Sequence, residues 1–220
     1  MQIIIYKAIN RKVIEGPLGR SFSSPCVNKE SIRQYKSQLI YRYILLYDYD
    51  TNYYTKEYIS MAILKTANTK GKYYEDHSKN DVIQYVLNPD KARNYYGSYG
   101  VNMNEPAESM NIVSAQFGKI QGVQLRHFII SFYPDELNDP AIANEIAKQF
   151  MVFFAHDYQT IYAVHQDKPH LHIHIIINSV SYVDGHRYYG TRAEFKSMQK
   201  YMQNVLKKYG IPCLEYASIA

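Results

Sequence analysis

Tryptophan is absent from the 220 residues, and cysteine occurs only twice, at Cys26 and Cys213. Two cysteines offer no disulfide framework and no C-x-x-C pair, so a reducing compartment, the cytoplasm, is expected. No apolar run approaches the length needed to cross a bilayer, which argues against membrane insertion. The opening residues MQIIIYKAIN lack a charged region followed by an apolar core, so no secretion signal is expected. Neither sign of charge dominates: 25 Lys and Arg against 20 Asp and Glu leave +5, which suits a polyanionic partner but does not demand one. What the chain does have is tyrosine, 24 of them. Aromatic rings beside basic side chains can stack on bases, although a biased genome also raises Tyr, Ile, Lys and Asn together. A chain of this length buries a real core and suits one domain with some addition.

The most informative stretch is His165-Gln-Asp167-Lys168-Pro-His170-Leu-His172-Ile-His174, which runs on into Ile175-Ile-Ile-Asn178. From Leu171 it reads as a strand, rich in β-branched residues and bounded by proline before and Ser/Asn after. Alternation puts Leu171, Ile173, Ile175 and Ile177 on one apolar face and His172, His174 and Asn178 on the other. Two imidazoles side by side on one strand face form half of a metal site. His165 lies across the short Asp-Lys-Pro turn and can fold back as a third ligand. Three neutral imidazoles with positions left open suit a catalytic ion rather than a closed structural one. Packing explains a single strand histidine well, but not four within ten residues.

This segment, AVHQDKPHLHIHIIINSV, resembles the third motif of plasmid mobilization relaxases, the HUH-type nicking enzymes, and within them the MobP-like branch. The pattern H-x-D-x-x-H-x-H-x-H followed by an apolar run and Asn carries the likeness. Lys168-Pro169 departs from the commoner Thr-polar pair. Asp81-Val-Ile-Gln-Tyr85-Val-Leu-Asn-Pro-Asp-Lys91 resembles the first motif, where a helical tyrosine precedes Pro-Asp/Glu-Lys, which implies Tyr85 as nucleophile. Arg126-His-Phe-Ile-Ile-Ser131-Phe resembles the second, which implies that Ser131 contacts DNA near the scissile phosphate. Met61 to the C-terminus is the extent of the likeness.

The resemblance implies nicking of single-stranded DNA at an origin of transfer. Tyr85 would become joined to the 5′ phosphate and a 3′ hydroxyl would be freed, so that one ester replaces another and the strand can be resealed. It also implies accessory relaxosome proteins and a coupling protein as partners. A divalent ion on His165, His172 and His174 is expected as cofactor, Mn²⁺ or Mg²⁺. By softness, imidazoles also suit Zn, Ni or Co. Asp167 is placed either to orient a histidine ring or to help take the tyrosine proton. Lys91, Arg93, Arg126 and Lys168 are candidates for the DNA backbone, His170 for a DNA contact from the turn, and Tyr95, Tyr96 or Tyr99 for base stacking.

Elsewhere the pattern alternates strands and helices. A short strand over 61–65 precedes a helix capped by Ser78 or Asn80, with Asp81 in its first turn and Val82 and Val86 toward a core. Residues 91–100 read as a loop. A helix over 106–118 carries Met110, Val113 and Phe117 on one face. A strand over 126–132 has Phe128, Ile130 and Phe132 core-ward, and His127, Ile129 and Ser131 opposite. Asp139-Pro140 opens a helix with Ile142, Ile146, Phe150 and Phe153 as its stripe. A strand over 160–165 follows, then one over 171–180. Asp184-Gly185 marks a hairpin between 179–183 and 186–189. Thr191 to Glu194 is a capping box, opening a helix that Gly210 stops. Together these argue for an α+β layer with one helical face and one open face bearing the histidines. The resemblance adds that the sheet is antiparallel, a relaxase-like palm.

Residues 1–60 fall outside the likeness. They read either as an extra N-terminal element or, the favoured reading, as an upstream stretch included by too early a start, expected to pack poorly and be dispensable. Residues 61–220 are the expected nicking domain; the resemblance implies further regions after it, so a fragment or a degenerate copy is expected. Two alternatives use the same residues. Rolling-circle replication initiators place their tyrosine on a helix after the histidines, where Tyr201 lies. His165-x-Asp167 with a later histidine also outlines a two-His-one-carboxylate iron oxygenase site. A third reading is a metal- or DNA-binding module without catalysis.

Overall fold

Five antiparallel strands form the sheet of the larger of two units in the computed structural model, residues 61–220. The structure describes residues 62–67, 73 and 77–211, together with the backbone of three strands in residues 1–60. Those three, β1 (Ile3–Tyr6), β2 (Arg42–Asp48) and β3 (Tyr53–Ile59), pair antiparallel in the first unit. Cys26 and Cys213 lie outside the described residues.

In the second unit the strands are β4 (Ile63–Thr66), β5 (Tyr96–Tyr99), β6 (Leu125–Ser131), β7 (Thr160–His165) and β8 (His172–Asn178). The helices are α1 (Ser78–Val86), the single turn α2 (Pro89–Ala92), α3 (Pro106–Gln116), α4 (Pro140–Ala155) and α5 (Arg192–Lys207). β8, buried along its whole length, is the central strand. Its Ile173, Ile175 and Ile177, with Leu171 just before it, join Phe128, Ile130, Tyr162 and Val164 in the main core, under α4 and α5. Asp139 caps α4 by accepting from the Ala141 N–H at 2.8 Å, and Thr191 with Glu194 forms the capping box of α5.

The α+β architecture implied by the sequence is present, with the histidines on the sheet face opposite α4 and α5. That face is covered rather than open. Ile83 and Val86 of α1, Ala92 of α2 and Met110 of α3 close over Ile161, Ala163 and Ile176 in a second apolar cluster. Burying apolar side chains on both sides of β7 and β8 explains why these strands show so little exposed surface.

Other details differ from the sequence reading. Residues 96–99, read as loop, form the edge strand β5, which pairs with β7. The α4 stripe is Ala143, Ile146, Ala147, Phe150 and Phe154, while Ile142 is exposed; a slight rotation of the helix puts Ala143, Ala147 and Phe154 inward in place of Ile142 and leaves Phe153 half-buried against the core. His77 occupies the N-cap position of α1, and Ser78 already lies in the helix. The 179–189 segment turns back with a single bridge, Val180 to Arg187, not as two strands. Its arms are held to the 119–123 loop instead, where the Arg187 guanidinium donates to the carbonyls of Val123, Lys119 and Gln121. Gly185 sits in the left-handed region at φ +72, and a side chain there would also strike the Phe117 ring.

Candidate active site

His165 ends β7 and His172 begins β8, and the antiparallel register sets them opposite one another, with Ala163 opposite His174. Paired residues share a face, so period-two alternation and this register together bring the three imidazoles into one pocket. Ring centroids lie 4.2 Å apart for His165 and His174, 5.0 Å for His172 and His174, and 5.2 Å for His165 and His172. One ring nitrogen from each lies within 4.8 Å of the others, and the residues His165, His172 and His174 are 0, 4 and 2% exposed. The turn between the strands is fastened from outside, by the Gln166 N–H donating to the Lys91 carbonyl of α2 at 2.9 Å.

The hydrogen bonds of the rings say which nitrogens face the pocket. His165 Nε2 donates to the Val86 carbonyl at the end of α1 at 2.8 Å, and its Nδ1 is buried without a partner. His174 Nδ1 lies 2.7 Å from His127 Nε2, and its own Nε2 is likewise buried without a partner. Unpaired buried imine nitrogens are costly unless something accepts their lone pairs. A divalent cation does that, so the residues present fit a bound ion. Burial pushes the His174 pKa well below its ordinary value and that of His172 down to about 4, with the neighbouring imidazoles adding to it. Burial lowers His165 as well, offset by its bond to Val86. All three are therefore neutral near pH 7, the protonation state in which imidazole is a ligand.

Tyr85 lies on the last turn of α1, with Ile83 and Val86 anchoring the helix to the second apolar cluster. Its ring centroid is 5.6 Å from those of both His165 and His174, edge-on to each, while the residue remains 44% exposed. Lys91 Nζ stands 4.0 Å from the Tyr85 ring centroid and 3.9 Å from Asp167 Oδ2. Asp167 Oδ1 is 3.6 Å from His172 Nε2. Ser131 is buried at the end of β6, opposite His172 in the register. His170 is half-buried in the turn, its ring 5.7 Å from that of His172, and burial, then Lys168 and Lys65, lowers its pKa. Lys168 is exposed on the same turn. Arg93 reaches across to Gln166 Oε1 at 3.4 Å.

Not every candidate arrives here. Arg126 occupies the opposite face of β6, where its guanidinium donates to the Tyr188 and Tyr189 carbonyls; it is occupied in holding that loop. Tyr95 packs against the main core, away from the histidines. Tyr96 pairs with Ala163 and so shares the histidine face, exposed, whereas Tyr99 pairs with Thr160 and faces the other way. Tyr201 also belongs to the far side: its ring packs on Phe150 and Phe153, and its hydroxyl donates to the Gln149 carbonyl at 3.1 Å. The helix that presents it covers the face opposite the imidazoles. Sequence reasoning gave no role to His127, which touches His174. Alternation with Ser131 showed its face; nothing local showed its neighbour, 47 residues away.

An antiparallel α+β sheet that gathers three imidazoles beneath a helical tyrosine has the architecture of an HUH relaxase. The model of the MobA/VirD2-like relaxase nuclease domain matches residues 85–211, more than half of the chain, and the chain belongs to that family. Among curated relatives, a protein rlx of Staphylococcus aureus is 26% identical over 155 residues, covering 70% of this chain and 46% of the relative. A second S. aureus protein rlx is 35% identical over 104 residues, 47% of this chain and 32% of the relative. The group II intron-interrupted relaxase LtrB of Lactococcus lactis subsp. cremoris is 27% identical over 161 residues, 60% of this chain and 28% of the relative. The chain thus spans less than half the length of these curated relatives. No helix among the described residues is long and apolar enough to cross a membrane.

Proposed function

We propose that this domain nicks one strand of DNA at an origin of transfer through a covalent tyrosyl intermediate, for mobilization of a plasmid or integrative element. The observation that carries it is the position of the Tyr85 ring, equally close to His165 and His174 and still open to solvent. In this reading Tyr85 Oη attacks the scissile phosphorus and the bond from phosphorus to the 3′ oxygen breaks. The 5′ phosphate is left on the tyrosine, and the departing 3′ oxygen takes up a proton. The phosphoester count is unchanged, so the reverse attack by a 3′ hydroxyl reseals the strand. A phenol is a poor nucleophile until it loses its proton. Lys91, beside the ring, favours the developing phenolate, and Asp167, paired with Lys91, is the carboxylate placed to receive the proton or to orient His172. Ser131 approaches the phosphate from β6. Lys91, Arg93, Lys168 and His170 line the rim on which the DNA backbone would lie, and Tyr96 offers a ring for a base.

His165, His172 and His174 would hold a divalent ion, Mn²⁺ or Mg²⁺, which when bound polarises the non-bridging phosphate oxygens as a Lewis acid. The cytoplasm is the compartment this chemistry suits, with single-stranded DNA, accessory relaxosome proteins and a coupling protein as partners. The two-His-one-carboxylate alternative fits less well, because the clustered donors are three imidazoles. The test is incubation with Mn²⁺ and single-stranded origin DNA, followed by denaturing electrophoresis. The wild type and Tyr201→Phe should form a denaturation-resistant adduct and Tyr85→Phe none. An adduct retained in Tyr85→Phe overturns the assignment. Binding without any adduct in the wild type would make the domain a DNA-binding module.

A further inference from the structure

We propose that His127 is a positioning residue for the metal pocket: it fixes the tautomer and ring orientation of His174 by accepting the proton of its Nδ1. The inference rests on reading the three imidazoles as a cation site, and it assigns a function to a fourth buried histidine that the nicking chemistry leaves unused.

The argument begins with strand geometry. His127 and Ile129 share a face of β6, and Ile129 is the register partner of His174. His127 is therefore the diagonal cross-strand neighbour of His174, within reach of a long or aromatic side chain. The rings lie 5.0 Å apart at 37°, and Nε2 of His127 is 2.7 Å from Nδ1 of His174. A contact this short between two neutral imidazoles needs one proton between them, so one ring donates and the other accepts.

The pocket decides which. His174 Nε2 is buried and no protein group accepts from it. Were His127 the donor, the proton of neutral His174 would have to sit on Nε2, an N–H pointing into the pocket with no acceptor and no lone pair left for an ion. The reverse arrangement keeps the His174 proton on Nδ1, donated to His127 Nε2, and leaves the Nε2 lone pair aimed at the pocket. His127 then carries its own proton on Nδ1, and the Tyr73 hydroxyl lies 3.2 Å from that nitrogen. The chain runs from His174 to His127 to Tyr73, each ring oriented by the next. Partners of this kind, behind a ligating histidine, are worth 10–100-fold in metal affinity.

Isothermal titration of the full chain with Mn²⁺ tests this without reference to activity. His127→Phe keeps an aromatic ring but has no acceptor, and should weaken Mn²⁺ binding about 10–100-fold. In His127→Gln the amide oxygen can accept from His174 Nδ1, and most of the affinity should return. Nitrogen-15 resonances of the metal-free protein supply a second readout: His174 should be the Nδ1–H tautomer in the wild type and lose that preference in His127→Phe. Wild-type affinity and an unchanged His174 tautomer in His127→Phe overturn the proposal. Equal weakening in the Phe and Gln variants, both folded by circular dichroism, also overturns it, because loss of shape then explains the effect. If the wild type binds no Mn²⁺ and His172→Ala changes nothing, the failure lies with the three-imidazole reading itself.

Discussion

Lys91 shows how much one side chain can be asked to do. Its carbonyl receives the Gln166 N–H that holds the histidine turn, while its ammonium stands between the Tyr85 ring and Asp167. A cation over an aromatic ring is attracted to it by up to a couple of kcal/mol when partly desolvated, and more as negative charge builds on the phenol oxygen. Lys91→Met keeps the stem and the backbone bond but removes the charge. The rate of adduct formation at saturating DNA should fall about tenfold or more, measured in single-turnover experiments so that lost DNA affinity is not counted. An unchanged rate would leave Lys91 as a backbone contact alone.

At the scale of an element, α1 is tied down by an unusual anchor. Lys79 is almost fully buried, its ammonium donating to Ser114 Oγ at 2.8 Å and to the Met110 carbonyl at 3.3 Å. Ser114 in turn contacts Asn178 at the end of β8. The helix bearing Tyr85 is thereby linked to α3 and to the strand bearing two of the histidines. Burial, with a smaller push from Arg187, lowers the Lys79 pKa from 10.5 to about 8. Between those values the unfolded chain holds the proton and the folded chain does not, so stability from this group rises with pH across the window and is lowest below pH 8. The unfolding free energy of the wild type minus that of Lys79→Met should therefore climb from pH 8 to 10.5; a flat difference would show that the ammonium is not penalised. Strand β5 makes a separate demand. A Cβ at Gly97 would lie 2.8 Å from the buried Tyr162 ring, which its bond to Asn144 holds in place. Gly97→Ala should cost roughly 1–3 kcal/mol in chemical denaturation, and no loss would mean that the edge strand shifts freely.

For the whole molecule, the chain divides into compact units at Ser60 and Met61, and the family match over residues 85–211 lies within the second. We propose that residues 61–220 carry the nicking chemistry and that residues 1–60 are dispensable to it. A chain lacking residues 1–60 should then form the DNA adduct at the wild-type rate; a loss of more than about tenfold would make the first unit part of the working domain. Much of the second unit was legible beforehand. The strand through His172 and His174, the Asp139 and Thr191 caps and the core sides of β6 are all local patterns. Strand β5 was not legible, because Tyr96-Gly-Ser-Tyr99 has no apolar alternation and exists as a strand only by pairing with β7. The cover over the histidine face escaped for a similar reason. Val86 and Ile83 announce a buried helix face but not which surface it buries against.

Local pattern alone determined that two histidines share one face of a strand and that a third can fold back toward them; resemblance of the motifs to those of relaxases added the family. Period-two alternation needs only neighbouring residues to state it. Tertiary structure decided that His165 stands opposite His172, that Tyr85 rather than Tyr201 reaches the imidazoles, that Arg126 turns away, and that His127 backs His174. Each of those depends on inter-strand register or on which sheet face a helix covers, and these are settled by contacts between residues dozens of positions apart.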